Sequence, residues 1–154
     1  MRPIGNVMLP IERARQLKNV ASARRSRIID VVERLIADAI AAGEIPDETP
    51  GWTVQVRKAG EVTFLTDDGA VGFPRLHASD ARRLADDLEA VATGEKKGRS
   101  AGPLLGRRLL MARRGQGLIL AMQDDAGAEI GRRTITPSIA RDLARQLRNA
   151  ADAA

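Results

Sequence analysis

The side chains of this chain that are best suited to binding chemistry are arginines, and ten of the 21 occur as adjacent pairs. Six lie in the last third of the sequence and two near its beginning: Arg107, Arg108, Arg113, Arg114, Arg132, Arg133, Arg24 and Arg25. Guanidinium groups present planar forks of N–H donors that match phosphate oxygens. We therefore expect these arginines to form a nucleic-acid-binding surface. The alternative is a solvated basic surface without a ligand.

Other chemistries have few candidate residues. The only imidazole, His77, lies at a predicted strand-to-helix junction, which favours a capping or surface role over general-base catalysis. Asp67-Asp68 and Asp124-Asp125 lie in predicted turns, where aspartate is favoured for its effect on the backbone rather than as a metal ligand. The chain has no cysteine, which excludes disulfides and thiolate metal sites. We expect a protein that is not an enzyme and that uses no cofactor or metal.

The elements that must position the arginines form a repeat. A constant offset of 59 residues aligns Ser79–Ala92 with Ser138–Ala151, and 7 of 14 positions are identical. Both segments have helical periodicity, and each follows three short runs of alternating apolar residues. We interpret this as a duplicated βββα unit. Each unit of about 45 residues is too small to be stabilised by a hydrophobic core of its own, so we expect the two units to share one core.

The predicted fold is α+β: an N-terminal helical segment followed by two tandem βββα units related by a pseudo-twofold axis. Pro10 could begin a short helix over Ile11–Leu17, and Ser22 is the expected N-cap of a longer helix that ends at Gly43. The expected segments are a basic N-terminal arm (1–21), the N-terminal helix (22–46), an acidic first unit (52–93), a flexible Gly-rich basic linker (94–106) and a basic second unit (107–154).

Charge is distributed unevenly along the chain, whose net charge is +5. Residues 1–46 carry +3, residues 47–94 carry −4 and residues 95–154 carry +6. The two repeats therefore face different partners or each other. The longest apolar stretch, Ile28–Ala42, is interrupted by charged residues and cannot span a bilayer. We expect a cytoplasmic protein with no membrane partner.

The order of elements resembles the small sheet-plus-helix modules of Pur-alpha-type nucleic-acid binders and of integrase arm domains. The resemblance implies nucleic-acid binding and carries over no individual residue. The second unit lacks aromatic side chains on which unpaired bases could stack, so we expect a DNA binder with weak sequence preference. The alternative is a protein-interaction module, such as a small regulator, an inhibitor or a phage or plasmid accessory factor, that binds a protein partner or forms a homodimer.

Overall fold

The structure, a computed structural model, describes residues 5–154 and divides the chain into two units, Met1–Asp47 and Glu48–Ala154. The described residues form four helices and two antiparallel sheets, so the predicted α+β class is confirmed. Within residues 5–154, no helix combines the length and the apolar character that are needed to cross a bilayer.

The first unit is a helical hairpin of α1 (Ile11–Ala23) and α2 (Ile28–Ala41). Helix α1 is longer than the predicted short helix and occupies much of the expected arm, of which residues 1–4 lie outside the described part. Ser22 is not an N-cap, because it lies inside α1. Helix α2 begins after Arg27, whose backbone N–H donates to the Asp30 carboxylate at 2.9 Å. Gly43, with φ of 72°, follows the end of α2 as predicted.

The second unit contains seven strands and two helices. In chain order these are β1 (Trp52–Val56), β2 (Val62–Thr66), β3 (Gly72–Leu76), α3 (Ala78–Thr93), β4 (Gly98–Leu104), β5 (Arg107–Arg114), β6 (Gly117–Asp124), β7 (Glu129–Ile135) and α4 (Pro137–Ala153). They form a three-stranded sheet of order β1-β2-β3 and a four-stranded sheet of order β4-β5-β6-β7. The three strands before each helix therefore follow the same up-and-down order.

The predicted linker over residues 94–106 is wrong in its central part, because strand β4 lies there. Its residues 98–101 pair with residues 109–112 of β5. This pairing satisfies the backbone groups of β5 that would otherwise form an open edge. A stretch with Gly98, Gly102 and Pro103 has no apolar alternation, so its pairing left no signal in the sequence. The second repeat thus has one strand more than the first.

The helices confirm the repeat at the level of packing. The same offset of 59 relates every buried position of α3 to a buried position of α4: Ala81, Leu84, Ala85, Leu88, Val91 and Ala92 correspond to Ala140, Leu143, Ala144, Leu147, Ala150 and Ala151. The four leucines among them are at most 2% exposed, as the periodicity predicts. The two helices pack along each other, where their alanines permit close approach.

Each helix packs against both sheets, and mainly against the sheet of the other repeat. Helix α4 contacts β1 and β2 in addition to β6 of its own repeat, whereas α3 contacts β4 and β5 in addition to β3 of its own repeat. The buried side chains of both sheets and both helices therefore form one apolar cluster, and the expectation of a shared core is confirmed. Because each helix packs mainly against the sheet of the other repeat, two repeats that are each too small for a core of their own stabilise each other.

One ion pair joins equivalent positions of the two helices. Glu89 corresponds to Arg148 under the offset of 59, and their Oε2 and Nη2 atoms are 2.5 Å apart. Residues at equivalent positions meet each other only near an axis that relates the two copies. This contact therefore marks the place in the helix pair where a twofold axis would pass.

Candidate nucleic-acid interface

The alternation of side chains along a strand separates the members of each arginine pair. The inner face of the four-stranded sheet carries buried apolar residues, including Leu109, Leu118 and Leu120. Arg113 pairs with Leu118, and Arg133 with Leu120, so both point to the inner side. Arg107 is two residues before Leu109 and shares that side. The outer face receives Arg108, Arg114 and Arg132. The six arginines therefore do not form one patch.

Two of the three inner arginines have partners within the chain. Arg113 donates from Nη1 to the carbonyl oxygen of Ala92 at 2.9 Å, at the C-terminal end of α3. A cation at this position also interacts favourably with the helix dipole. Arg133 forms an ion pair with Asp68 in the turn between β2 and β3. These two side chains connect the repeats and are not free to bind a ligand. Arg107 is half-buried at the rim of the sheet.

The turns that contain the aspartate pairs have equivalent hydrogen bonds. Asp68 Oδ1 accepts the backbone N–H of Ala70 at 3.0 Å, and Asp124 Oδ1 accepts those of Ala126 and Ala128 at 3.0 and 2.9 Å. The turn-forming role is confirmed for Asp68 and Asp124. Within residues 5–154, no group of three or more His, Cys, Asp or Glu side chains gathers where it could hold a metal ion.

The pKa of Asp68 is lowered to about 2. The largest cause is the hydrogen bond from the Thr66 hydroxyl, at 2.7 Å, followed by the backbone N–H of Ala70 and then by Arg133. All three interactions favour the ionised carboxylate. Asp68 is therefore charged under ordinary conditions, which maintains its ion pair with Arg133.

The outer face of the four-stranded sheet carries three exposed arginines. Within residues 5–154, neither Arg108 nor Arg114 forms an ion pair or a side-chain hydrogen bond. Arg132 is held by Glu129 through contacts of 2.8 and 2.6 Å, which raise the pKa of Arg132 and lower that of Glu129. Two arginines of this face thus keep an uncompensated charge.

The spacing of these charges follows from the strand geometry. Arg108 and Arg114 lie at the two ends of β5 on one face, about 20 Å apart at roughly 3.4 Å per residue. The surface between them is formed by short or aliphatic side chains: Leu110, Ala112, Ile119 and Ala121. Between Arg108 and Arg114 the outer face of the sheet is therefore flat and uncharged, and each arginine places a positive charge at one end of β5.

Lys97, which is not among the predicted site residues, lies beside Arg113. The backbone N–H of Arg113 donates to the carbonyl oxygen of Lys97 at 2.9 Å, which continues the β4–β5 pairing past Gly98. The backbone N–H of Lys96 instead donates to the carbonyl oxygen of Ala90 in α3, at 3.0 Å. Lys97 belongs to the segment that was predicted to be a linker, so its proximity to Arg113 depended on a strand that the sequence did not reveal.

Arg24 and Arg25 belong to the other unit, in the turn between α1 and α2. The backbone N–H of Arg25 donates to Ser22 and that of Ser26 to Ala21, both at 3.0 Å, which is a Schellman arrangement. Arg25 takes the left-handed position of this motif, with φ of 50°. Both arginine side chains are exposed.

The remaining candidate groups are His77 and the carboxylates of a cleft beside α3. His77 is the exposed residue at the N-cap of α3, and its carbonyl oxygen accepts the N–H of Ala81 at 2.9 Å. A cleft of about 220 Å³ between α3 and β4 is lined by Asp80 and Asp87 among other residues. Burial raises the pKa of Asp87, although Arg99 lies 3.3 Å away. The cleft thus offers carboxylates with arginine neighbours.

Comparison of the chain with protein-family models, with curated proteins and with solved structures finds no match. The functional assignment therefore depends on the geometry described above.

Proposed function

We propose that this protein binds nucleic acid without catalysing a reaction, and that it uses the outer face of the β4–β7 sheet. The observation that carries the proposal is the position of Arg108 and Arg114. They lie on one exposed face without an acidic partner among the described residues, whereas Arg113 and Arg133 are engaged within the chain. Arg132 lies on the same face, where Glu129 compensates its charge.

The shape of this face favours contact with phosphates over the reading of bases. The surface between Arg108 and Arg114 is the face of a sheet, from which no helix protrudes. Base edges in the major groove are usually contacted by a helix or a two-stranded ribbon that enters the groove. Contacts to phosphates position a protein on the duplex and carry no sequence information. The proposed ligand is therefore duplex DNA, bound with weak sequence preference.

Fluorescence anisotropy with labelled duplex DNA tests the proposal. Each phosphate contact that is lost lowers the slope of log affinity against log salt by about 0.9, so Arg108→Ala with Arg114→Ala lowers it by about 1.8. The matched control is Arg75→Ala with Arg141→Ala, which removes the same charge from exposed positions on β3 and α4. We expect the control to retain the slope of the unmutated protein.

Three outcomes contradict the proposal. The first is that the unmutated protein fails to bind duplex DNA at about 50 mM salt. The second is that the control weakens binding as much as the outer-face variant, which would indicate a response to net charge only. The third is tighter binding to single-stranded DNA or RNA of the same length, since the face has no aromatic side chain for stacking.

A protein-interaction function remains the second candidate, because the first unit exposes an apolar helix face. That surface makes a separate inference possible.

A further inference from the structure

The α1–α2 hairpin does not bury its own apolar side chains. Among residues 5–47, only Ala21 is buried, and α2 has no buried residue at all. Yet α2 is the most apolar helix of the described chain, with the sequence IIDVVERLIADAIA. A two-helix hairpin without a core is not stable alone, since helices in proteins depend mainly on the packing of an apolar face. The hairpin therefore requires a partner surface.

The exposed residues of α2 have the spacing of a helix-packing seam. Ile28 and Leu35 are 43% and 69% exposed, and Ile29 and Ile36 are 51% and 43% exposed. Each pair is separated by seven residues, so the two pairs form parallel rows along one side of the helix. Val32, between these rows, is half-buried. This is the pattern of a helix that contacts more than one neighbouring helix in a bundle.

The charges of the hairpin are complementary to those of a second copy. Helix α1 carries one acidic and three basic side chains: Glu12, Arg13, Arg15 and Lys18. Helix α2 carries three acidic side chains and one basic: Asp30, Glu33, Asp38 and Arg34. Asp30 also pairs with Arg27 of its own chain. A twofold axis that sets α1 of each copy beside α2 of the other brings the basic helix against the acidic helix twice. A surface with this property is self-complementary.

We infer that the α1–α2 hairpin is a homodimerisation element, which pairs with the hairpin of a second copy of this chain to form a four-helix bundle. The partner supplies the apolar surface for Ile28, Ile29, Leu35 and Ile36. This inference does not depend on the proposed nucleic-acid interface, which lies in the other unit.

The mass of the full-length protein in solution tests the inference. Sedimentation equilibrium over about 1–100 μM gives a species of twice the 16.6 kDa chain mass if the hairpins pair. Leu35→Glu places two buried like charges in the bundle, and we expect the dissociation constant to rise by about 10- to 100-fold. The matched control is Ala37→Glu, an exposed position two residues away on the opposite side of α2. It should change the dissociation constant by less than about twofold.

A neutral variant separates loss of association from loss of folding. Leu35→Gln introduces a good helix former without charge, so we expect unchanged helical circular dichroism and a smaller weakening of the dimer. A monomeric unmutated protein at every concentration would overturn the inference. A dimer that survives both Leu35 variants would also overturn it, since association would then involve another surface.

Discussion

The two sheet-and-helix units are alike where they pack together and different where they face outward. All six buried positions of α3 have a buried counterpart in α4, because both helices must fill the same core. The outer surfaces differ: β1 places Thr53 and Gln55 on the side away from its buried neighbours, whereas β5 places Arg108 and Arg114 there. Shared packing thus constrains the inner residues, and the outer residues are free to carry a function in one unit only.

The opposite charges of the two units are partly explained by contacts between them. Arg148 pairs with Asp86 and Glu89, Arg133 with Asp68, and Arg99 with Asp87. In these pairs the arginine lies in β4, β7 or α4 and the carboxylate lies in the first repeat, whereas Arg82 of the first repeat pairs in the opposite sense with Asp152 of α4. The charge asymmetry therefore serves the packing of one repeat against the other, and only part of the excess positive charge is available to a ligand.

The largest expected effect concerns the equivalent core leucines. Leu88→Ala and Leu147→Ala should each destabilise the second unit by about 2–5 kcal/mol, because each removes a fully buried side chain from the shared core. Stabilities of domains are about 5–15 kcal/mol, so the double variant should be largely unfolded. Denaturant unfolding measures both. A double variant with an unchanged midpoint would show that the helices are peripheral.

Alanine substitutions at the equivalent glycines of β3 and β7, Gly72 and Gly131, should disturb different contacts. A Cβ at Gly72 would lie 2.2 Å from the Phe64 carbonyl oxygen of its own sheet, and a Cβ at Gly131 would lie 2.1 Å from that of Ala70 in the other repeat. Both alanine variants should lose about 1–3 kcal/mol, with the larger loss at Gly72, where φ is also +115°. Thermal unfolding provides the measurement. Gly5→Ala, at an open position, should have little effect.

The pair Glu89–Arg148 provides a test of the pseudo-twofold relation. Glu89→Arg places like charges at equivalent positions and should cost about 0.2–1 kcal/mol, a small value because both side chains are partly exposed. Adding Arg148→Glu restores opposite charges at this pair and should recover only part of the loss, because it also removes the pairing of Arg148 with Asp86. A double-mutant cycle measured by thermal unfolding decides this. Losses that simply add would mean that the two positions do not interact.

The smallest expected effect is on acid stability. The pKa of Asp68 is about 2 in the folded chain and about 3.9 in an unfolded one, so its contribution to stability is present above about pH 4 and is lost as the pH falls toward 2. Asp68→Asn should therefore flatten the decline of the melting temperature over this range. Asp67→Asn is the control, since its carboxylate forms no hydrogen bond or ion pair within the described residues. Equal curves for Asp68→Asn and the unmutated protein would contradict the assignment.

The sequence by itself determined the features that depend on local periodicity. Helical spacing identified the buried leucines of α3 and α4, and alternation identified six of the seven strands. Gly43 was recognised as the end of a helix, and it follows α2 with φ of 72°. These signals are readable because each depends only on residues that are near one another in the chain.

The tertiary structure decided which residues meet across the chain. Strand β4 exists because β5 offers it a backbone edge, and its own glycines gave no pattern. The sequence could not predict that each helix packs mainly against the sheet of the other repeat. An apolar helix face satisfies the same local rules whether it covers the sheet of its own repeat or that of the other. The arginine pairs divided for a related reason: adjacent residues on a strand point to opposite faces, and only the packing determined which face became the core. Arg113 and Arg133 therefore contact the first repeat, at Ala92 and Asp68, whereas Arg108 and Arg114 lie on the outer surface of the sheet.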